Sequence, residues 1–177
     1  MRKINSIIAI IAVSMAVSTT AFAQETATAA TSSNVIAPIS IASSNNGLLF
    51  GNMAVKSGSV GTVTLNPTTN LRETSNVTLP ASNKGTVHAA TFAVGGESNF
   101  TYSIQLPTED FNLTDGGTGE DANTMVVTDV VSDAETGTLD SEGTQTISVG
   151  ATLNVASDQA AGAYTNADDL SVIVNYN

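Results

Sequence analysis

Apolar and polar residues alternate with a period of two along most of this chain, in short runs that recur roughly every ten residues. Tyr102, Ile104 and Leu106 alternate with Thr101, Ser103 and Gln105. Ile147, Val149, Ala151, Leu153 and Val155 alternate with Thr146, Ser148, Gly150, Thr152 and Asn154. Successive side chains of a strand point to opposite faces, so each run presents one face to a core and the other to water. Outside the first residues no window carries apolar side chains at i, i+3, i+4 and i+7 over three turns, so helix content is expected to be small. Strands are expected over residues 35–42, 48–55, 59–65, 76–79, 86–94, 100–106, 124–131, 145–155 and 170–177. Turn-forming groups separate them, among them Asn45-Asn46-Gly47, Asn66-Pro67, Gly95-Gly96, Asp115-Gly116-Gly117 and Ala161-Gly162. Many short strands at this spacing make the chain all-β, a sandwich or a barrel. With 177 residues, one such domain and a processed end account for the whole length.

The first residues read as an address. Arg2 and Lys3 precede an apolar run from Ile7 to Val17, and Ala21-Phe22-Ala23 forms a small-residue cleavage site before Gln24. The run is shorter than the roughly 20 residues needed to span a membrane. Residues 1–23 are therefore expected to be a secretory signal peptide, with no membrane insertion after cleavage. The remaining chain keeps 3 basic residues, Lys56, Arg72 and Lys84, against 16 acidic ones. Such a surface repels nucleic acid, which needs basic groups to displace counterions from phosphate. Export from the cytoplasm of a bacterium is the expected route. Without cysteine, stability after export has to come from strand pairing and core.

Residues 24–36 form an N-terminal extension, small and polar up to Asn34, ahead of a domain expected over 37–177. Catalytic chemistry is poorly supplied. His88, the single histidine, sits in V-H-A-A-T-F, a strand context, and no G-x-S-x-G elbow accompanies it. A glycosidase would set two carboxylates across a cleft with aromatic platforms, and the chain has no Trp and 3 Tyr. No enzyme activity and no cofactor are expected. Acidic pairs fall in loops, and Asp115, Glu120 and Asp121 are weak candidates for calcium, although D-G-G-T-G-E-D lacks EF-hand spacing. Asn76-Val77-Thr78, Asn99-Phe100-Thr101 and Asn112-Leu113-Thr114 match a glycosylation pattern that an Asn- and Thr-rich chain meets by chance.

Five segments carry a resemblance. They are V-I-A-P-I-S-I-A from Val35, L-L-F-G-N-M from Leu48, Y-S-I-Q-L-P from Tyr102, G-T-Q-T-I-S-V-G-A-T-L-N-V from Gly143, and A-A-G-A-Y-T-N-A-D-D-L-S-V-I-V-N-Y-N from Ala160. Over residues 35–177 the chain resembles the domain of unknown function 4402 family, and in pattern it is similar to spore-coat-U-type and chaperone-usher pilin subunits. That resemblance implies an immunoglobulin-like antiparallel sandwich lacking one strand, which another chain supplies in trans. It implies a structural subunit of a surface fibre, a homopolymer built by donor-strand exchange with the help of a periplasmic chaperone and an outer-membrane usher. Thr26, Thr28, Ala30, Val35 and Ile36 would then belong to the donor strand. Leu170, Val172, Val174 and Tyr176 would form the groove-edge strand that a chaperone pairs with, entered through a turn at Gly162 and a buried Tyr164. The chain departs from pilins in having no disulfide and in the small size of residues 26–30. The alternative is a secreted or surface-attached binding module, an adhesin or matrix protein whose acidic loops hold calcium.

Overall fold

The computed structural model describes residues 24–44, 47–117, 123–167 and 169–177. The expected signal peptide, Glu120 and Asp121 lie outside the described residues. The chain forms two units, Met1–Asn34 and Val35–Asn177. In the first, residues 24–34 carry no regular structure and every side chain is exposed. The second is an antiparallel β-sandwich. Among the described residues there is no helix, and none is therefore long and apolar enough to cross a membrane.

Its strands are β1 (Ser40–Ser43), β2 (Ala54–Val55), β3 (Gly61–Leu65), β4 (Arg72–Ser75), β5 (Val77–Thr78), β6 (Ala90–Gly95), β7 (Thr101–Gln105), β8 (Phe111–Thr114), β9 (Thr124–Ser132), β10 (Thr136–Thr138), β11 (Thr144–Val155) and β12 (Ile173–Tyr176). The 12-residue β11 is the spine. Its first half pairs with β6, from Thr144↔Gly95 to Val149↔Ala90, and its second half with β3, from Ala151↔Leu65 to Val155↔Gly61. β9 pairs with β11 from Val149 to Asn154, and Val149 and Thr152 each have a partner on both sides. A strand has two edges, so β6 and β3 lie end to end along one edge of β11 and β9 along the other. β1 extends this sheet beyond β6, β4 beyond β3 and β8 beyond β9. A three-stranded sheet in the order β10-β7-β12 and a small pair, β2-β5, complete the fold.

Two core clusters correspond to the two halves of β11. Val63, Leu65, Met125, Val127, Ala151, Leu153 and Val155 pack with Phe50 and Val77 over the second half. Val94 and Ile147 of the large sheet meet Tyr102, Leu139 and Val174 over the first half. The alternation expected in β11 holds, with Ile147, Val149, Ala151, Leu153 and Val155 all buried. Tyr102 is fully buried, its hydroxyl donating to Gln145 Oε1 at 2.9 Å. Desolvation, reinforced by the charge of Asp133, raises its pKa.

Several expectations change, among them the strands expected from residues 86 and 170, which begin at Ala90 and Ile173. Residues 48–53 form no strand. Gly51 adopts φ +68°, and the Arg72 guanidinium donates to the carbonyls of Phe50 at 2.7 Å and Asn52 at 2.9 Å, so a side chain rather than a neighbouring strand satisfies this backbone. A Cβ at Gly51 would also collide with the Lys84 carbonyl, which accepts from the Asn52 N–H. The strand expected from residue 35 begins at Ser40, because Pro38 has no N–H for a ladder and Val35 stands 93% exposed. Conversely β4 and β10 were not signalled by alternation, since R-E-T-S and T-G-T bury little and are held by backbone pairing, and β8 was missed although Phe111 and Leu113 alternate with Asn112 and Thr114 and pack on the core. Asn76 and Asn99, which open two of the glycosylation-pattern matches, adopt φ 53° and 63° and serve as turn residues.

Candidate functional site

β12 ends the three-stranded sheet, and β1 ends the larger one. The strand expected from Leu170 begins at Ile173, so Leu170 and Val172 lie in the segment that leads into β12, but the alternation runs through both. Val174 is buried, Leu170, Val172 and Tyr176 are half-buried, and Ser171, Ile173 and Asn175 are exposed. Val172, Val174 and Tyr176 pack on the same cluster as Ile39 and Ile41, which flank and enter β1. The pairing with β7 runs from Ile173↔Gln105 to Tyr176↔Tyr102, and the Asn177 N–H donates to the Thr101 carbonyl at 3.2 Å. Hydrogen-bonded and non-hydrogen-bonded pairs alternate in an antiparallel ladder, so the backbone groups of Val174 and Tyr176 face away from β7. Among the described residues no strand pairs with that outer edge.

At its C-terminal end the edge is closed by side chains. The Tyr176 hydroxyl donates to the Ala37 carbonyl at 2.9 Å and accepts from the Glu97 N–H at 2.7 Å. The Ala37 N–H donates to Glu97 Oε2 at 2.9 Å. Phe100 meets the Tyr176 ring edge-on at 5.7 Å, and the ring covers Gly96, where a Cβ would collide with its hydroxyl. These contacts join positions 139 and 60 residues apart in sequence. No local motif marks them. The only hint was the turn at Gly95-Gly96, and Glu97 and Ala37 were missed altogether.

The other sequence candidates fall elsewhere. Thr26, Thr28 and Ala30 are exposed in residues 24–34, which carry no regular structure, while Val35 and Ile36 precede β1 without joining it. Gly162 is exposed. Tyr164 is only half-buried and packs on the cluster of the second half of β11, not beside β12. Its hydroxyl donates to the Ala160 carbonyl at 2.7 Å and accepts from Gln159 Nε2 at 3.0 Å. The expected entry into the terminal strand is therefore not there, because Thr165 pairs with Thr114 and ties this segment to β8. His88 bridges Leu49 across an isolated antiparallel pair, as a strand residue does.

Asp115 has a local task. Its Oδ1 accepts from the N–H groups of Gly117 at 3.0 Å and Asn123 at 3.2 Å, and its Oδ2 accepts from Asn123 Nδ2 at 2.6 Å. These donors, led by Asn123, hold its carboxyl below the usual range and close the β8–β9 loop. No group of three or more His, Cys, Asp or Glu gathers as for a metal among the described residues. Glu109, Asp110 and Asp169 border a surface cleft of about 970 Å³ that also meets Phe111 and Ile173.

No curated protein and no solved structure matches the chain. Over residues 39–176, from just before β1 to the last residue of β12, the sequence matches the family described as Domain of unknown function (DUF4402), and the protein belongs to that family.

Proposed function

We propose that this protein is a structural subunit of a bacterial surface fibre, joined to its neighbours by a strand added along the outer edge of β12. The observation that carries the reading is the state of that edge. It bears an apolar stripe of Val172, Val174 and Tyr176 beneath it and outward-facing backbone groups along it. Unpaired edges are templates for other strands, and soluble proteins normally blunt them with charge, proline or a bulge. No charged residue and no Pro stands in residues 170–177.

The donor is the leading segment, residues 24–36, of another copy. Thr26, Thr28 and Ala30 bury little area, so at about 25 cal/mol per Å² the side-chain contribution rests on Val35 and Ile36. Backbone pairing supplies the rest, as in other strand additions. A head-to-tail contact between two different surfaces gives an open filament wherever its rotation does not close into a ring. In this reading residues 1–23 direct export, a periplasmic chaperone holds the edge of β12 during transit, and an usher delivers the subunit to the surface.

The test is the assembly state of the exported chain, taken from the periplasm and from the cell surface and run on a denaturing gel without boiling. A ladder of multimers that collapses to one band on heating is expected, and deletion of residues 24–36 should abolish it while leaving a folded monomer. A lone monomer from both places, or a ladder that survives the deletion, overturns the reading.

A further inference from the structure

A strand placed between two others holds them about 9.5 Å apart, twice the spacing of neighbouring strands. The Cα atoms of β1 and β12 come within 8 Å of one another. The gap beside β12 is therefore narrower than an inserted strand needs, and the two walls have to separate before one can enter. What joins those walls is the set of contacts around Tyr176. Its hydroxyl holds the Ala37 carbonyl, Glu97 holds the Ala37 N–H, and Ala37 leads through Pro38 and Ile39 directly into β1.

We propose that Tyr176, Glu97 and Ala37 form a clasp that keeps the β1–β12 gap closed in the free subunit, and that its opening sets the rate at which a strand of a second copy is added. The inference rests on the assembly reading above and names its control. The clasp is built to open without unfolding the core. Its polar contacts are made at the surface, Phe100 is 39% exposed, and β1 is a four-residue strand that pairs with β6 alone. The clasp is also exacting in shape, since the Tyr176 ring lies where Gly96 leaves out a side chain. Phenylalanine at 176 would keep the ring on Gly96 and Phe100 and lose both hydrogen bonds of the hydroxyl.

The experiment compares the full chain, exported and purified as monomer, with Tyr176→Phe and Glu97→Ala. Two quantities are followed: amide hydrogen exchange in β1 and β12, and the time course of heat-sensitive multimers on unboiled gels. Each variant removes hydrogen bonds and little apolar burial, so circular dichroism should show an unchanged fold. Exchange at Ala42 and Asn175, whose N–H groups lie in the ladders with β6 and β7, and the rate of multimer formation should both rise, by about tenfold for Tyr176→Phe. Unchanged exchange and an unchanged rate in both variants overturn the clasp and leave the assembly reading standing. Faster exchange with no multimers from the parent chain or either variant overturns the assembly reading and, with it, any role of the clasp in assembly.

Discussion

The two halves of β11 are the same strand in different company. From Ala151 to Val155 it lies between β3 and β9, and Val63, Leu65, Val127, Leu153 and Val155 around it are 0–2% exposed. From Thr144 to Val149 it lies beside β6, and the cluster it covers is bounded by the two end strands β1 and β12. One half is sealed by backbone pairing on both sides, and the other is sealed at its border by side chains alone. Burial of apolar surface dominates folding stability, and it does not require a ladder at every edge. A chain can therefore place most of its stability in one half and keep the other able to admit a strand.

A charge placed in each half should separate them most sharply. Val127→Asp puts a carboxylate where the side chain is fully buried with apolar neighbours, at a cost of about 5 kcal/mol or more, which is comparable to the stability of a small domain. No cooperative urea transition should remain. Val172→Asp falls on a half-buried position at the border, where the carboxylate can turn to water, and should cost about 1–2 kcal/mol while abolishing multimers. Equal losses in the two variants would show that β12 is as sealed as β9.

Truncation makes the same comparison with a smaller effect. Leu153→Ala should cost about 2–5 kcal/mol by urea denaturation, since its surroundings are fixed by three paired strands and relax little. Ile41→Ala, on a half-buried end-strand side chain, should cost about 1–2 kcal/mol. A larger loss for Ile41→Ala would place the main core under β1 and invert the assignment of the two halves.

How much of this was legible in the sequence follows from the same physics. Alternation marks strands that bury one face, so β3, β7, β9, β11 and the stripe of β12 were visible, and with them the sandwich. β4 and β10 bury almost nothing through their side chains, and period two cannot report a strand held by its backbone. Residues 48–53 misled for the opposite reason. Leu48, Phe50 and Met53 do contact the core, but from a loop that Arg72 holds, a contact that depends on a side chain 20 residues or more away. At the candidate site the apolar stripe of β12 was readable, because its spacing is local. The clasp was not, since nothing near Ala37 or Glu97 shows that Tyr176 reaches both.

The smallest effect concerns two turns, one in each half. Asp140 Oδ1 accepts from the N–H groups of Thr144 at 2.8 Å and Glu142 at 2.9 Å, and its Oδ2 accepts from Thr144 Oγ1 at 2.9 Å. These contacts, led by Thr144, hold its carboxyl below the ordinary 3.8. Asp115 is lowered in the same way by Asn123 and Gly117. A carboxyl whose folded pKa lies below its unfolded value contributes stability above the unfolded value. That contribution shrinks as pH falls below 3.8 and is gone once pH has passed the folded value. Asp140→Asn and Asp115→Asn should each lower Tm slightly at neutral pH and flatten its fall below pH about 4, and an unchanged acid slope would contradict the assignment. The two should differ in assembly. The Asp140 carbonyl accepts from the Gly143 N–H at 3.0 Å, and the Gly143 carbonyl accepts from Gly96 at 2.9 Å, the residue beneath the Tyr176 ring. Loosening the Asp140 turn therefore reaches the clasp, while loosening the Asp115 loop stays within the sealed half. Asp140→Asn should speed multimer formation and Asp115→Asn should leave it unchanged. Equal rates would mean that the two halves are coupled through β11 more tightly than their separate clusters imply.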